Sequence, residues 1–223
     1  MKISKYKLFN YVKFISRILI FIFAVILFFN GGILKNNTLN IVFLSIVWIF
    51  YFIGILFKLF PNKFSSTGSQ KIFKRYYIPT NSEPKKENRH VVLIASLWIG
   101  ANLIFGILYI LKIFNEDIMI LLSLAYFICD SICLLIFCPF RLWINKNRCC
   151  VNCRIYNWDC LMLVSPLIFI PHFITYILVV MAIIVLVQWE VIYHKHPERF
   201  SEKSNLAIRC SQCKKKSCRC KNK

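Results

Sequence analysis

Long apolar runs alternate along this chain with short polar connectors rich in lysine. Four runs have the length of a bilayer crossing, roughly 20 apolar residues. They extend from about Phe14 to Phe29 and on toward Leu34, from Leu39 to Phe60, from Val91 to Leu111, and from Ile118 to Cys138. Hydrocarbon offers no water to backbone groups, so each run predicts a helix. A fifth stretch, Leu161 to Val187, is just as apolar but contains Pro166 and Pro171. Proline removes a backbone donor and disfavours helix in the residue before it, which predicts a break near Pro171. Two arrangements satisfy this. In one, a half-helix from about Trp158 to Ile170 enters, turns, and returns as a helix through Ile192. In the other, one kinked span leaves the tail on the far side.

Composition agrees with the pattern, since 58% hydrophobic residues and a mean hydropathy of +0.61 exclude an ordinary water-soluble fold. The expected class is an all-α integral membrane protein with four transmembrane helices plus a proline-broken fifth element, re-entrant or kinked. It divides into residues 1–60 (basic segment and two helices), 61–90 (basic loop), 91–144 (two helices), 145–160 (Cys-rich segment), 161–195 (broken element) and 196–223 (basic, Cys-rich tail).

Charge sets the expected orientation. The 29 Lys and Arg against 9 Asp and Glu give +20, concentrated in the N-terminal segment, in Pro61 to His90 and in the tail. The segment Ile33 to Thr38 holds only Lys35, and Lys112 to Asp117 is nearly balanced. Lys and Arg excess marks the cytoplasmic side, which places the N-terminus, the second loop and the segment after Cys138 there, in a multi-pass protein of the cell membrane. A single crossing by the last stretch would put the basic tail outside, so the re-entrant form with a cytoplasmic C-terminus is favoured. The first run follows several lysines as a signal peptide would, yet no small-x-small cleavage site follows it.

Eight of the eleven cysteines lie outside the four clear spans: Cys149, Cys150, Cys153 and Cys160, then Cys210, Cys213, Cys218 and Cys220. Cys150-x2-Cys153 and Cys210-x2-Cys213 each put two thiolates on a tight turn, and two such turns make a tetrahedral four-cysteine zinc site. Cys149, Cys160, Cys218 and Cys220 are further candidate ligands. An iron-sulfur cluster, disulfide exchange, or no shared site are the alternatives, although no ferredoxin spacing is present. Cys129, Cys133 and Cys138 read more simply, as small buried hydrophobes.

Polar residues within the runs are costly. Asp130 in the fourth costs roughly 2.5 to 3.5 kcal/mol on insertion scales, which makes it a functional candidate. Asn102 lies at a comparable depth and His172 near the expected turn, so the three could converge on a proton, a headgroup or a cation. The structural alternative pairs Asp130 with Asn102 to hold helices together. Glu190, His194 and His196 form a weaker metal-like grouping. Trp189 and Tyr193 read as interfacial anchors, and Asn157 or Asp159 as a helix cap. Asp159, Glu190 and Glu198 have Arg148, Arg154 and Arg199 within reach. In the loop from Ser65 to Glu87, Lys71, Lys74 and Arg75 interleave with Phe73, Tyr76 and Tyr77, a pattern suited to anionic lipid headgroups.

No phosphate loop, dinucleotide fingerprint, GxSxG or HExxH occurs, and nothing shows a nucleic-acid recognition fold. The leading expectation is a non-enzymatic scaffold or accessory subunit that contacts lipid and a membrane protein partner and is clamped by zinc. A thiol or iron-sulfur redox protein, and a small transporter or lipid-modifying enzyme centred on Asp130, are the rival expectations.

Overall fold

The computed structural model describes residues 5–35, 37–60, 68–84, 89–140, 144 and 154–209. Its main helices are α1 (Lys5–Phe29), α2 (Thr38–Leu59), the short α3 (Ser69–Ile72), α4 (Arg89–Ile110), α5 (Glu116–Leu135), α6 (Asp159–Val164) and α7 (Phe173–Lys195). Five segments within them, Leu8–Phe29, Thr38–Leu59, His90–Ile110, Glu116–Leu135 and Phe173–Lys195, are long and apolar enough to cross a membrane. They carry large apolar side chains on their outer faces, such as Leu19 and Ile26 on α1 and Leu103 and Ile107 on α4. An all-helical protein that exposes this much apolar surface along span-length helices is a membrane protein.

The helices pack through narrow inward stripes. On α2 these are Phe43, Val47, Tyr51 and Ile55, and on α7 Leu178, Ala182, Val185 and Trp189, each stepping by one helical turn. α1 lies along α5, and α2 along α7. The chain turns between α1 and α2 at Gly31 and Gly32, whose φ values of +109° and +107° suit glycine. Asn40 Nδ2 donates to the carbonyls of Gly32 and Ile33, and Leu34 N donates to Asp117 Oδ1 at 2.9 Å. This ties the α1–α2 turn to the start of α5.

The last apolar stretch breaks where its prolines require. α6 passes into 3-10 turns over Ser165–Phe169, Ile170 is extended (φ −88°, ψ 114°), and α7 starts at Phe173. Pro166 falls at the opening of the 3-10 turns, where a missing N–H is tolerated. In a continuous α-helix the amide of position 166 would bond to the Met162 carbonyl; Ser165 Oγ donates to it instead, at 2.9 Å. Ile170 is 3% exposed, and its carbonyl accepts from Thr175 Oγ1 at 2.9 Å. A broken backbone at membrane depth is stable only when covered and bonded in this way. The short limb spans about 19 Å by helical rise, less than the hydrocarbon thickness, whereas the returning limb of 23 residues has the length of a span. Arg154 and Trp158, before the short limb, both bond to Glu190 near the end of α7, so the stretch begins and finishes at the same end of the bundle.

At that end the segment 68–84 and the segment 196–209 dock on one another. Pro79 and Asn205 form an antiparallel bridge, Thr80 N donates to Ser204 O at 3.1 Å, and Leu206 N donates to Ile78 O at 3.0 Å. Asn205 is fully buried and organises the join: its Oδ1 accepts from Ile78 N and Ala207 N, while its Nδ2 donates to Arg199 O. Arg199 Nη1 donates to Ile72 O at 3.3 Å.

Two expectations for this region are corrected. Lys71 does not reach for headgroups: it is fully buried, with its ammonium 5.9 Å from the Tyr156 ring and 5.4 Å from the Phe200 ring. Trp189 is not an interfacial anchor: it is 0% exposed, roofed by Gly68, with its Nε1 donating to Lys58 O at 3.4 Å. The docked segments cover what a bare helix end would present to headgroups.

A Cβ at Gly68 would stand 2.4 Å from Trp189 Cη2, well inside van der Waals contact. Gly68→Ala is therefore expected to cost about 1–3 kcal/mol of stability by overpacking. The cost should be clearly smaller in a Trp189→Phe background, as measured by a double-mutant cycle of unfolding in detergent. Equal costs in the two backgrounds would mean that the ring is not the obstacle.

Candidate functional site

The buried ion pairs lie toward the end where the two segments dock. Arg17 belongs to the first of them. It lies nine residues into the span that begins at Leu8 and is 3% exposed. Its Nη1 donates to Asp130 Oδ2 at 2.7 Å, to Phe127 O at 2.7 Å and to Ser131 Oγ at 2.5 Å, and its guanidinium lies 3.7 Å from the centre of the Phe127 ring. Asp130 is five residues from the end of α5, about 8 Å by helical rise. Each charge alone would be expensive in hydrocarbon, and the pair with its added hydrogen bonds removes most of that cost.

A second group forms where α2 ends. The Lys58 ammonium pairs with the Asp159 carboxylate and stands 4.2 Å from the centre of the Tyr156 ring, with Trp189 at 5.9 Å. A third joins the limbs of the broken stretch. Arg154 Nη2 donates to Glu190 Oε2 at 2.6 Å, Trp158 Nε1 donates to Glu190 Oε1 at 2.7 Å, and the guanidinium lies 4.4 Å from the Tyr193 ring. The planar fork of arginine suits this two-sided grip on a carboxylate.

The residues singled out in the sequence do not converge. Asp130 is taken by Arg17. Asn102 Nδ2 donates to Trp98 O at 2.8 Å, and its Oδ1 accepts from Ser165 Oγ at 2.9 Å, so it braces the short limb against α4. His172 lies at the opposite end of the bundle as the cap of α7, its Nδ1 accepting from Ile174 N. Asp159 and Asn157 do not cap α6, whose cap position is Trp158. Asp159 pairs with Lys58 rather than with an arginine. Glu190 and His194 meet across one helical turn, with His194 Nε2 3.9 Å from Glu190 Oε2, but His196 does not join them: α7 ends at Lys195, His196 Nδ1 turns to Glu198 at 3.1 Å, and Glu190 is also held by Arg154 and Trp158. Glu198 lies 4.0 Å from Arg199.

Cys149, Cys150, Cys153, Cys210, Cys213, Cys218 and Cys220, like Arg148, lie outside the described residues. Cys160 is buried in the core, 5% exposed, in the first turn of α6. Among the described residues no group of three or more His, Cys, Asp or Glu is placed to hold a metal ion.

Arg17 and Lys58 were not singled out in the sequence, although both interrupt apolar runs. An arginine inside a run that must span lipid demands a partner, and Asp130 is the intramembrane acid that answers it. The pairing of Lys58 with Asp159 had no such signal, because it depends on the path of the broken stretch. Comparison with known proteins returned nothing: no family model, curated protein or solved structure matches the chain. The fold and its internal ion pairs define a helical membrane protein and carry the functional reading alone.

Removing one partner of the buried pair leaves the other charge stranded. Asp130→Leu or Arg17→Met alone is expected to cost about 3–5 kcal/mol, and the double variant much less than the sum. Thermal unfolding of the purified variants in one detergent checks this, and strict additivity would refute the coupling.

Proposed function

We propose that this chain is a multi-pass scaffold or accessory subunit of a cellular membrane, with both termini in the cytoplasm and a structural zinc clamping its Cys-rich segment to its tail. The observation that carries the reading is the docking of 196–209 on 68–84, at the end of the bundle where Arg154 and Glu190 join the limbs of the broken stretch. The opposite end, at 30–35, 111–117 and 170–172, holds Lys35 and Lys112 against Glu116 and Asp117. The surplus of positive charge therefore belongs to the docked end and the spans, and positive charge belongs inside.

The zinc reading draws on the same geometry. Cys153 directly precedes Arg154, and Cys210 directly follows Arg209, which donates from Nε to Glu202 O at 2.8 Å. Arg154 stacks on Tyr193, and Tyr193 packs on Phe200 at 5.2 Å between ring centres. The flanks of both CxxC turns thus belong to one structural end, which is what a shared Cys150, Cys153, Cys210, Cys213 site requires. Bound there, zinc would act as a closed four-thiolate staple with no open position for chemistry.

A scaffold also fits the way intramembrane polarity is used. Asp130, Asn102, Asp159 and Glu190 each bind a neighbouring element of the chain. The exposed face of Lys74 and Arg75, with Arg75 stacked 4.9 Å and 4.7 Å from Phe73 and Tyr76, suits anionic lipid headgroups. The apolar outer faces suit a partner membrane protein.

Protein purified in mild detergent without chelator should contain about one zinc per chain, as a four-thiolate site requires. Cys153→Ser and Cys213→Ser should each lose the metal and lower protein abundance, because metal binding is folding energy in such sites. Absence of zinc together with normal abundance of both variants would remove the clamp. A C-terminal reporter active only outside the cytoplasm should stay silent; a signal from it would overturn the orientation.

A further inference from the structure

α1 carries a polar stripe into the apolar bundle. Asn10, Lys13 and Arg17 follow one another at spacings of three and four residues, so they share a helical face, and the pairing of Arg17 with Asp130 turns that face toward α5. Arg17 is 3% exposed, Asn10 is half-buried and Lys13 is exposed. Lys13 nevertheless lies five residues inside the span that begins at Leu8, about 8 Å by helical rise. Among the described residues neither its ammonium nor the Asn10 amide has a hydrogen-bond or ion-pair partner.

The levels of two ion pairs bracket Lys13. Arg17 packs 3.7 Å from the centre of the Phe127 ring and Tyr51 stacks on the same ring at 4.7 Å, which sets α1, α2 and α5 level there. From that level toward the docked end, Lys13 is one turn along α1, about 6 Å, and Lys58 is two turns along α2, about 10 Å. Lys13 therefore stands between the level of Arg17 with Asp130 and that of Lys58 with Asp159. Each pair is neutral, so Lys13 gives the group one positive charge in excess. Asp130 keeps 24% of its side chain exposed, so the pair beneath Lys13 is not sealed off.

We propose that Asn10 and Lys13 form a binding site for the phosphodiester of an anionic phospholipid in the leaflet at the docked end. A phosphodiester carries one negative charge and only acceptor oxygens, which matches an ammonium and an amide N–H that both lack acceptors. A lysine stem packs along apolar surface while its head reaches the headgroup level, so Lys13 can meet the phosphate from within the span. Phe9 and Val12 on its flank are each 56% exposed and offer apolar surface to the acyl chains. A choline headgroup supplies the same phosphate but adds a quaternary ammonium, which the excess positive charge repels. The preference is therefore for an anionic lipid. The inference needs the chain to span a membrane; it needs neither the zinc clamp nor a particular side for the docked end.

The test is native mass spectrometry of the full chain in mild detergent, titrated with dioctanoyl phosphatidylglycerol, dioctanoyl phosphatidylcholine or inorganic phosphate. The first phosphatidylglycerol is expected to bind with a Kd about fivefold below that of phosphatidylcholine, and inorganic phosphate should not displace it. Lys13→Gln should remove the preference and Lys13→Arg should keep it, while Lys35→Gln, at the opposite end, should leave it unchanged. Without lipid, Lys13→Gln should melt at the wild-type temperature, which separates lost binding from lost folding. Equal affinity of the wild type for the two lipids would overturn the proposal. So would a preference that survives Lys13→Gln, or one that falls equally in Lys35→Gln. Displacement by inorganic phosphate would overturn the lipid as the source of the anion.

Discussion

Among the described residues, buried charges of the bundle pair with one another, Arg17 with Asp130, Lys58 with Asp159 and Arg154 with Glu190, and the pairs fix which elements lie side by side. Arg17 brings Asp130, Phe127 and Ser131 to α1, so α1 and α5 have a defined register and not merely two greasy faces in contact. Lys58 draws the start of α6 to the end of α2, and Glu190 draws the residues before α6 to the end of α7. Hydrocarbon cannot discriminate between one apolar helix face and another, because lipid tails are as apolar as the side chains. A misplaced charge, by contrast, costs several kcal/mol. The ion pairs therefore supply the specificity that apolar packing lacks.

The same logic explains the docked end. Lys58 and Lys71 flank the Tyr156 ring, with Trp189 and Phe200 completing an aromatic surround. Those five residues come from α2, α3, the segment before α6, α7 and the segment after it, so one small cluster joins five parts of the chain. Amphipathic lysines fit such a place, since the stem packs as hydrocarbon while the ammonium is held by ring faces and carboxylate. Around this cluster the backbone of 78–80 pairs with that of 204–206, and the segments on either side of the bundle become one unit.

Polar groups placed this way hold a structure together, and the functional proposal rests on assembly. Asp130, Asp159 and Glu190 are each engaged by a base or an indole of the chain itself.

Hydropathy alone determined that the chain is helical and spans a membrane, since runs of twenty apolar residues have no other way to satisfy their backbone in lipid. Pro171 alone determined where the last stretch breaks, because its ring disfavours helix at Ile170 whatever surrounds it. Tertiary structure decided the partners. Asp130 could have met Asn102 or His172 by depth, and it met Arg17 because α1, not α4, lies along α5. Trp189 and Lys71 looked like surface residues by type, and the docking of 68–84 on 196–209 buried both. Spacing along a chain reports contacts within a regular element; contacts made where elements end or cross depend on the path between them, and only the folded molecule contains that path.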